Sequence, residues 1–232
     1  LSDTIKIDSR VRELGQFAME VRNEDLKSEP MFFNCDLNFA MEEGGDVTRS
    51  FISALPPEWF MGDVVFDSRV HMLMPGWYPA IPGFHHDDVP RPERIPVGQH
   101  FATAGQPDYR DMRYKAEHIL GLVHAEVAPT EFAVGEIELP LLDLSDPTQL
   151  VYRTWHYKVL EALAEGRMQR YEAPDRTLVQ FDWQSFHQAV RARANGWRWF
   201  GRVTRNSDRT RRITNEIRSN AQVYLEFPME GW

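Results

Sequence analysis

The chain has one cysteine, Cys35, in 232 residues. An intrachain disulfide is excluded, and a reducing compartment is the natural expectation. No apolar run approaches the ~20 residues needed to cross a bilayer. The opening residues, LSDTIKIDSR, lack the basic-then-apolar order of a secretory leader, and no Asn-x-Ser/Thr acceptor occurs. Missing too is a glycine-rich phosphate loop, which sets a nucleotide enzyme aside. There is no Gly-x-Ser-x-Gly elbow, so Ser185 and His187 do not suggest a serine hydrolase despite their closeness. Positive charge is in deficit: 26 Lys and Arg against 35 Asp and Glu, a net −9. That disfavours a broad nucleic-acid surface without excluding a local basic groove. These absences point to a soluble cytoplasmic protein with no membrane partner. With 42% hydrophobic and 26% charged residues, a packed core is expected.

Repeats, low-complexity tracts and Gly/Ser linkers are also absent, so residues 1–232 are expected to form a single domain. Residues 1–60 mix helix and strand signals and suggest a covering layer. Within them Asp46 is placed to cap a helix over VTRSFISAL, which Pro56-Pro57 stops. Strand signals dominate from 64 to 205. DVVFDSRVHMLM (63–74) is apolar and β-branched and is broken by Pro75-Gly76. HILGLVHAEVA (118–128) alternates cleanly between two faces. TQLVYRTWHYKVLEALAEG (148–166) has three-to-four spacing and a glycine stop, which predicts a helix on the surface of a β core. TLVQFDW (177–183) suggests a strand. FHQAVRARA and WRWFGRVTR flank Asn195-Gly196, the dipeptide most favourable for a two-residue hairpin turn. The sum is a mainly β protein, a sandwich or jelly roll with flanking helices, and a tail (206–232) packing on the core.

One segment stands apart. PAIPGFHHDDVPRPE (79–93) sets His85, His86, Asp87 and Asp88 between prolines that forbid a long helix. In extended chain, residues i and i+2 point the same way. His85 with Asp87, or His86 with Asp88, would then present an imidazole and a carboxylate to one point. Such donors suit iron, manganese or zinc, and two histidines with one carboxylate and open positions suit non-haem Fe(II). Solvated His/Asp loops are common, so the third ligand matters. His187 is the candidate. If Asn195-Gly196 closes a two-residue turn, Ala194 faces Trp197 and His187 faces Thr204. Arg198 and Arg202 would then share a face with His187, Arg202 about 7 Å along the strand and Arg198 roughly 20 Å. Arg191 and Arg193 would join them, and a bound anion would relieve the repulsion. His124-Ala125-Glu126 is a rival His-x-acid pair. His71, His100, His118 and His156 have no spacing that demands chemistry. Trp183, Trp197, Trp199 and Phe200 would serve either a pocket or the core, and the basic RVTRNSDRTRR (202–212) suggests a solvated loop.

Over residues 64 to 205 this pattern resembles the Fe(II)/2-oxoglutarate-dependent dioxygenase superfamily. That family pairs His-x-Asp/Glu with a distant His and an Arg ten to fifteen residues later. Here Arg198 and Arg202 follow His187 by eleven and fifteen residues, which resembles the taurine-dioxygenase-like branch. The resemblance implies a double-stranded β-helix. It also implies Fe(II) held by His85, Asp87 and His187, with His85 preferred because it follows Gly83-Phe84 closely. Arg198 would bind the distal carboxylate of 2-oxoglutarate and Arg202 would lie by the chelating end. Thr130, in APTEFAVG, would assist. The implied reaction uses dioxygen, decarboxylates 2-oxoglutarate to succinate and hydroxylates a substrate that the sequence does not name. Two other classes compete: a cupin-like metalloenzyme with no keto-acid co-substrate, and a jelly-roll module that binds or supports without catalysis.

Overall fold

The computed structural model describes residues 3–17, 20–91, 106–111, 113–143 and 150–225. His100 and the first two residues of the expected 148–166 helix lie outside them. Elements run in the order β1 (Thr4–Ser9), β2 (Val11–Gln16), α1 (Asn23–Ser28), β3 (Met31–Phe33), α2 (Leu37–Glu43), α3 (Asp46–Ser53) and β4 (Val64–Leu73). Then follow β5 (Glu117–Val123), β6 (Thr130–Pro140), α4 (Val151–Ala164), β7 (Gln169–Glu172), β8 (Thr177–Asp182), β9 (Phe186–Ala189), β10 (Gly196–Arg205) and β11 (Glu216–Arg218). The protein is mainly β, a jelly roll of antiparallel sheets with helices on the outside. The large sheet has the order β2-β8-β5-β10-β4. In the smaller, β6 pairs with β1, β7 and β9. A short β11-β3 pair stands beside β4. Strands β1 and β2 thus belong to the sheets themselves, while α1, α2 and α3 do the covering.

Each central strand of the large sheet is covered on both faces. On β5, Ile119 and Val123 join a core with Phe51, Val47 and Trp59 from the helical layer, whereas Leu120 and Leu122 pack with Phe132 and Phe181 between the sheets. β10 alternates likewise: Trp199 and Val203 lie under the helices and Arg198, Phe200 and Arg202 face the other way. Gly121 and Gly201 sit opposite each other on the helical side. A Cβ on Gly121 would lie 2.7 Å from Phe17 and 2.8 Å from Phe51, and one on Gly201 would strike Trp199. These two glycines make the floor on which Phe17, Phe51 and Trp199 meet edge to face or tilted, with centroids 5.5 to 6.2 Å apart. Helix α4 closes the smaller sheet with Trp155, Val159 and Ala162 against Ile137 and Leu139.

Three local expectations need correction. Asp46 is the first residue of α3, not its cap; Gly45 is the N-cap. The capping carboxylate comes from Glu29, which accepts from the Val47 amide at 2.7 Å and from the Thr48 hydroxyl at 2.8 Å. Gly45 is small because a Cβ there would fall 2.3 Å from that carboxylate. The strand expected over 118–128 ends at Val123, because His124 turns left-handed at φ 59°. The Asn195-Gly196 hairpin does not form. β9 pairs with β6 and β10 pairs with β4 and β5, so the segment between them crosses from one sheet to the other. Thr204 faces Val65 and His118 rather than His187. Arg191 and Arg193 leave the arginine row: the first donates to the Tyr78 hydroxyl and the second pairs with Glu172.

Candidate metal centre

The His85 segment is stitched directly onto β9. His85 and His187 exchange two backbone hydrogen bonds, at 3.0 and 3.1 Å, in an isolated antiparallel bridge. The prolines keep the loop extended, so the backbone that carries one histidine fixes the backbone that carries the other. Alternation then sorts the four neighbours. His85 and Asp87 turn toward His187. His86 turns away among Phe186, Tyr109 and Trp155, with Nδ1 2.6 Å from the Tyr109 hydroxyl. Asp88, left-handed at φ 54°, faces Arg209 at 3.7 Å.

Both inward histidines make the same local bond. His85 Nδ1 donates to the Gly83 carbonyl at 2.8 Å, and His187 Nδ1 to the Ser185 carbonyl at 3.0 Å. A carbonyl only accepts, so each Nδ1 carries a hydrogen and each Nε2 turns toward Asp87. Burial, reinforced by His187, pushes His85 down to about 3, so its ring is neutral. His187 Nε2 is 3.1 Å from Asp87 Oδ2, and His85 Nε2 is 3.9 Å from Oδ1. Burial raises the Asp87 pKa, but Arg202 and the histidines outweigh it and hold the carboxyl well below the ordinary range. Two imidazole nitrogens and a carboxylate oxygen thus lie within 4.8 Å of one another. That donor set fits a first-row divalent metal with positions to spare. His85, Asp87 and His187 are the one group of three or more such donors among the described residues. His124 and Glu126 do not converge: His124 bonds the Trp197 carbonyl and Glu126 is exposed.

The centre opens onto a cavity of about 740 Å³ between the sheets. Arg202 is in close contact with Asp87 and lies 3.4 Å from Asp67, which Arg209 also grips at 2.7 Å. Arg198 differs. It is 3% exposed, donates to the Ala128 carbonyl and, at 3.3 Å, to the Thr130 hydroxyl, and has no carboxylate partner among the described residues. Burial alone pulls its pKa down to about 9. An unanswered buried guanidinium facing a cavity is an anion site in waiting.

Of the four aromatic candidates only Phe200 lines the cavity. Trp183 and Trp199 are core, and Trp197 packs at the core margin under Lys27. The basic 202–212 segment is not simply solvated, since Arg209 points inward to Asp67 and Arg205 lies 4.4 Å over the Trp59 ring. Sequence reasoning missed Asp67, Arg69 and Arg209. The signal was there in VVFDSRVHM, where Asp67, Arg69 and His71 recur at every second position of an apolar strand.

No protein-family model and no curated protein matches this chain. Among solved structures it is similar to EvdO2 from Micromonospora carbonacea var. aurantiaca, crystallised with 2-oxoglutarate. Identity is 12% and the TM-score 0.35, over 77% of this chain and 64% of that one. The chain thus spans less than two thirds of that protein, and at this score the likeness carries no weight below. No helix among the described residues is long and apolar enough to cross a membrane.

Proposed function

We propose that the chain is an Fe(II)- and 2-oxoglutarate-dependent oxygenase that hydroxylates an organic substrate and releases succinate. The observation that carries this reading is a pairing. Two imidazole nitrogens and an ionised carboxylate converge at one end of a cavity, and further along it lies Arg198, a buried guanidinium with no carboxylate partner among the described residues. A cupin-like enzyme without a keto acid has no use for that second feature, and a purely structural jelly roll has use for neither.

The roles divide as follows. His85 and His187 supply nitrogen donors, aimed by the Gly83 and Ser185 carbonyls. Asp87 supplies one negative charge, kept ionised by Arg202. Arg198 and Thr130 take the far carboxylate of the keto acid, and the Arg202 guanidinium lies where its near carboxylate would need a counter-charge. When bound, the iron and keto acid supply oxidation of a C–H bond by dioxygen. The buried walls keep bulk water from the arginines and so strengthen both contacts.

The test is an anaerobic titration of Fe(II)-loaded protein with 2-oxoglutarate, followed by a visible charge-transfer band and by calorimetry. A stoichiometric band in the wild type, lost in Arg198→Met while Fe(II) still binds, is the expected result. Metal binding with no keto-acid response would leave the cupin-like class, and no stoichiometric metal would leave the structural module.

A further inference from the structure

Building on that reading, we propose that the substrate is a small organic acid whose anionic group, a carboxylate, phosphate or sulfonate, is held by Arg69 and Arg218 beside Phe33. Three facing pairs cross the β4–β10 ladder: Asp67 with Arg202, Arg69 with Phe200, and His71 with Arg198. All six line the cavity. Arg202 is answered by Asp67 and Asp87, and Arg198 is set aside for the keto acid. Arg69, between them, has only carbonyl partners: its Nη1 donates to Phe32 and Ser68 at 2.9 and 2.6 Å. No carboxylate pairs with it among the described residues.

A second arginine meets it from the β11-β3 pair. The Arg218 guanidinium lies 3.6 Å above the Phe33 ring, and Arg69 approaches the same ring at 5.7 Å. Arg218 spends its Nε on Glu216 at 2.7 Å, which leaves both Nη groups without a hydrogen bond among the described residues. Arg209, the third cation at that ring, is already occupied by Asp67.

The charge balance points the same way. The chain as a whole is acidic, at −9, yet among the described residues five arginines line the cavity against three carboxylates, Asp67, Asp87 and Glu216. A divalent metal and a dianionic keto acid cancel each other, so the excess of two positive charges survives loading. Arg69 carries part of that excess, since it has no carboxylate partner among the described residues, and Arg218 meets it with neither Nη group hydrogen-bonded among the described residues. A cavity of about 740 Å³ is sized for a drug-like ligand, and a five-carbon keto acid uses part of it. Phe33 and Ile217 offer an apolar surface for the stem of the acid.

The experiment loads the protein with Co(II) and 2-oxoglutarate without oxygen, so that Arg198 is occupied. Inorganic phosphate and acetate are then titrated by calorimetry at fixed ionic strength, with acetamide as the neutral isostere of acetate. One anion site is expected, with no response to acetamide. Arg69→Met and Arg218→Met should each weaken phosphate binding by about tenfold or more, while 2-oxoglutarate affinity stays within about twofold. Arg69 also braces two carbonyls, so Arg218→Met, at a strand with little else to lose, guards against a folding defect. Phosphate binding that is unchanged in Arg218→Met, or that competes with 2-oxoglutarate, overturns the proposal. Arginine-dependent phosphate binding in a protein that never takes up 2-oxoglutarate upholds the anion site and sinks the oxygenase reading. Keto-acid uptake with no phosphate site does the reverse.

Discussion

The two faces of β10 do opposite work with the same alternation. One face, Trp199 and Val203, is apolar, sits on the Gly121–Gly201 floor and is sealed by the helical layer. The other, with Arg198 buried and Arg202 partly so, is cationic and faces the candidate metal centre. Burial of the first releases apolar surface from water and stabilises the fold. Burial of the second costs desolvation, which is tolerated where a carboxylate or a bound anion answers it. Stability and chemistry are thus separated by one residue along a single strand.

That separation can be broken in graded ways. The largest effect is His187→Ala, which should abolish stoichiometric metal binding, measured by elemental analysis after reconstitution, with the metal-free fold still cooperative. If His187→Ala retains a stoichiometric ion, the three-donor centre is wrong. Next, Trp199→Ala should cost about 3 to 5 kcal/mol in urea unfolding. Arg198→Met, one residue away, should change stability by less than about 1 kcal/mol while removing keto-acid binding; equal destabilisation by the two would erase the distinction between the faces. Gly121→Ala should cost about 1 to 3 kcal/mol, because its methyl must displace Phe17 or Phe51. A neutral Gly121→Ala would mean that the aromatic floor is loose.

The smallest effect per step is a pH slope. Burial pushes His71 and His85 down to about 3, and His86 and His118 well below their ordinary value. The unfolded chain protonates these rings from about pH 6.5 downward while the folded metal-free chain does not. Stability is therefore full above that pH and falls as acid is added, by up to about 1.4 kcal/mol per pH unit for each ring. Asp88, whose carboxyl burial raises, acts in the opposite sense. Urea midpoints that stay flat between pH 7.5 and 5.5 would contradict this.

Much of the architecture was legible because strand alternation is a local property. The apolar runs at 64–73, 117–123 and 177–182 are strands, and the three-to-four spacing after residue 150 is a helix. The hairpin was not, because Asn195-Gly196 encodes a turn preference but not which sheet receives each strand. That choice depends on β4, β5 and β6, whose paired residues lie 53 or more positions away in sequence. Arg198 and Arg202 do share a cavity with His187, as expected, but from a different sheet and not as cross-strand neighbours in one hairpin. Side-chain alternation in His85-His86-Asp87-Asp88 did foreshadow how that segment splits. Its convergence with His187 required the backbone bridge, which no pattern in the sequence announces. Arg69 stayed hidden because a single arginine in an apolar strand is ordinary until its lack of a carboxylate is seen.

The double backbone bond between His85 and His187 has one more consequence. Two of the three donors are fixed by main-chain pairing and by carbonyls two residues upstream, not by the ion itself. On the proposed reading, a chelator would empty the centre and a different divalent ion refill it without passage through an unfolded state, and the rigid spacing of the two rings would discriminate among ions.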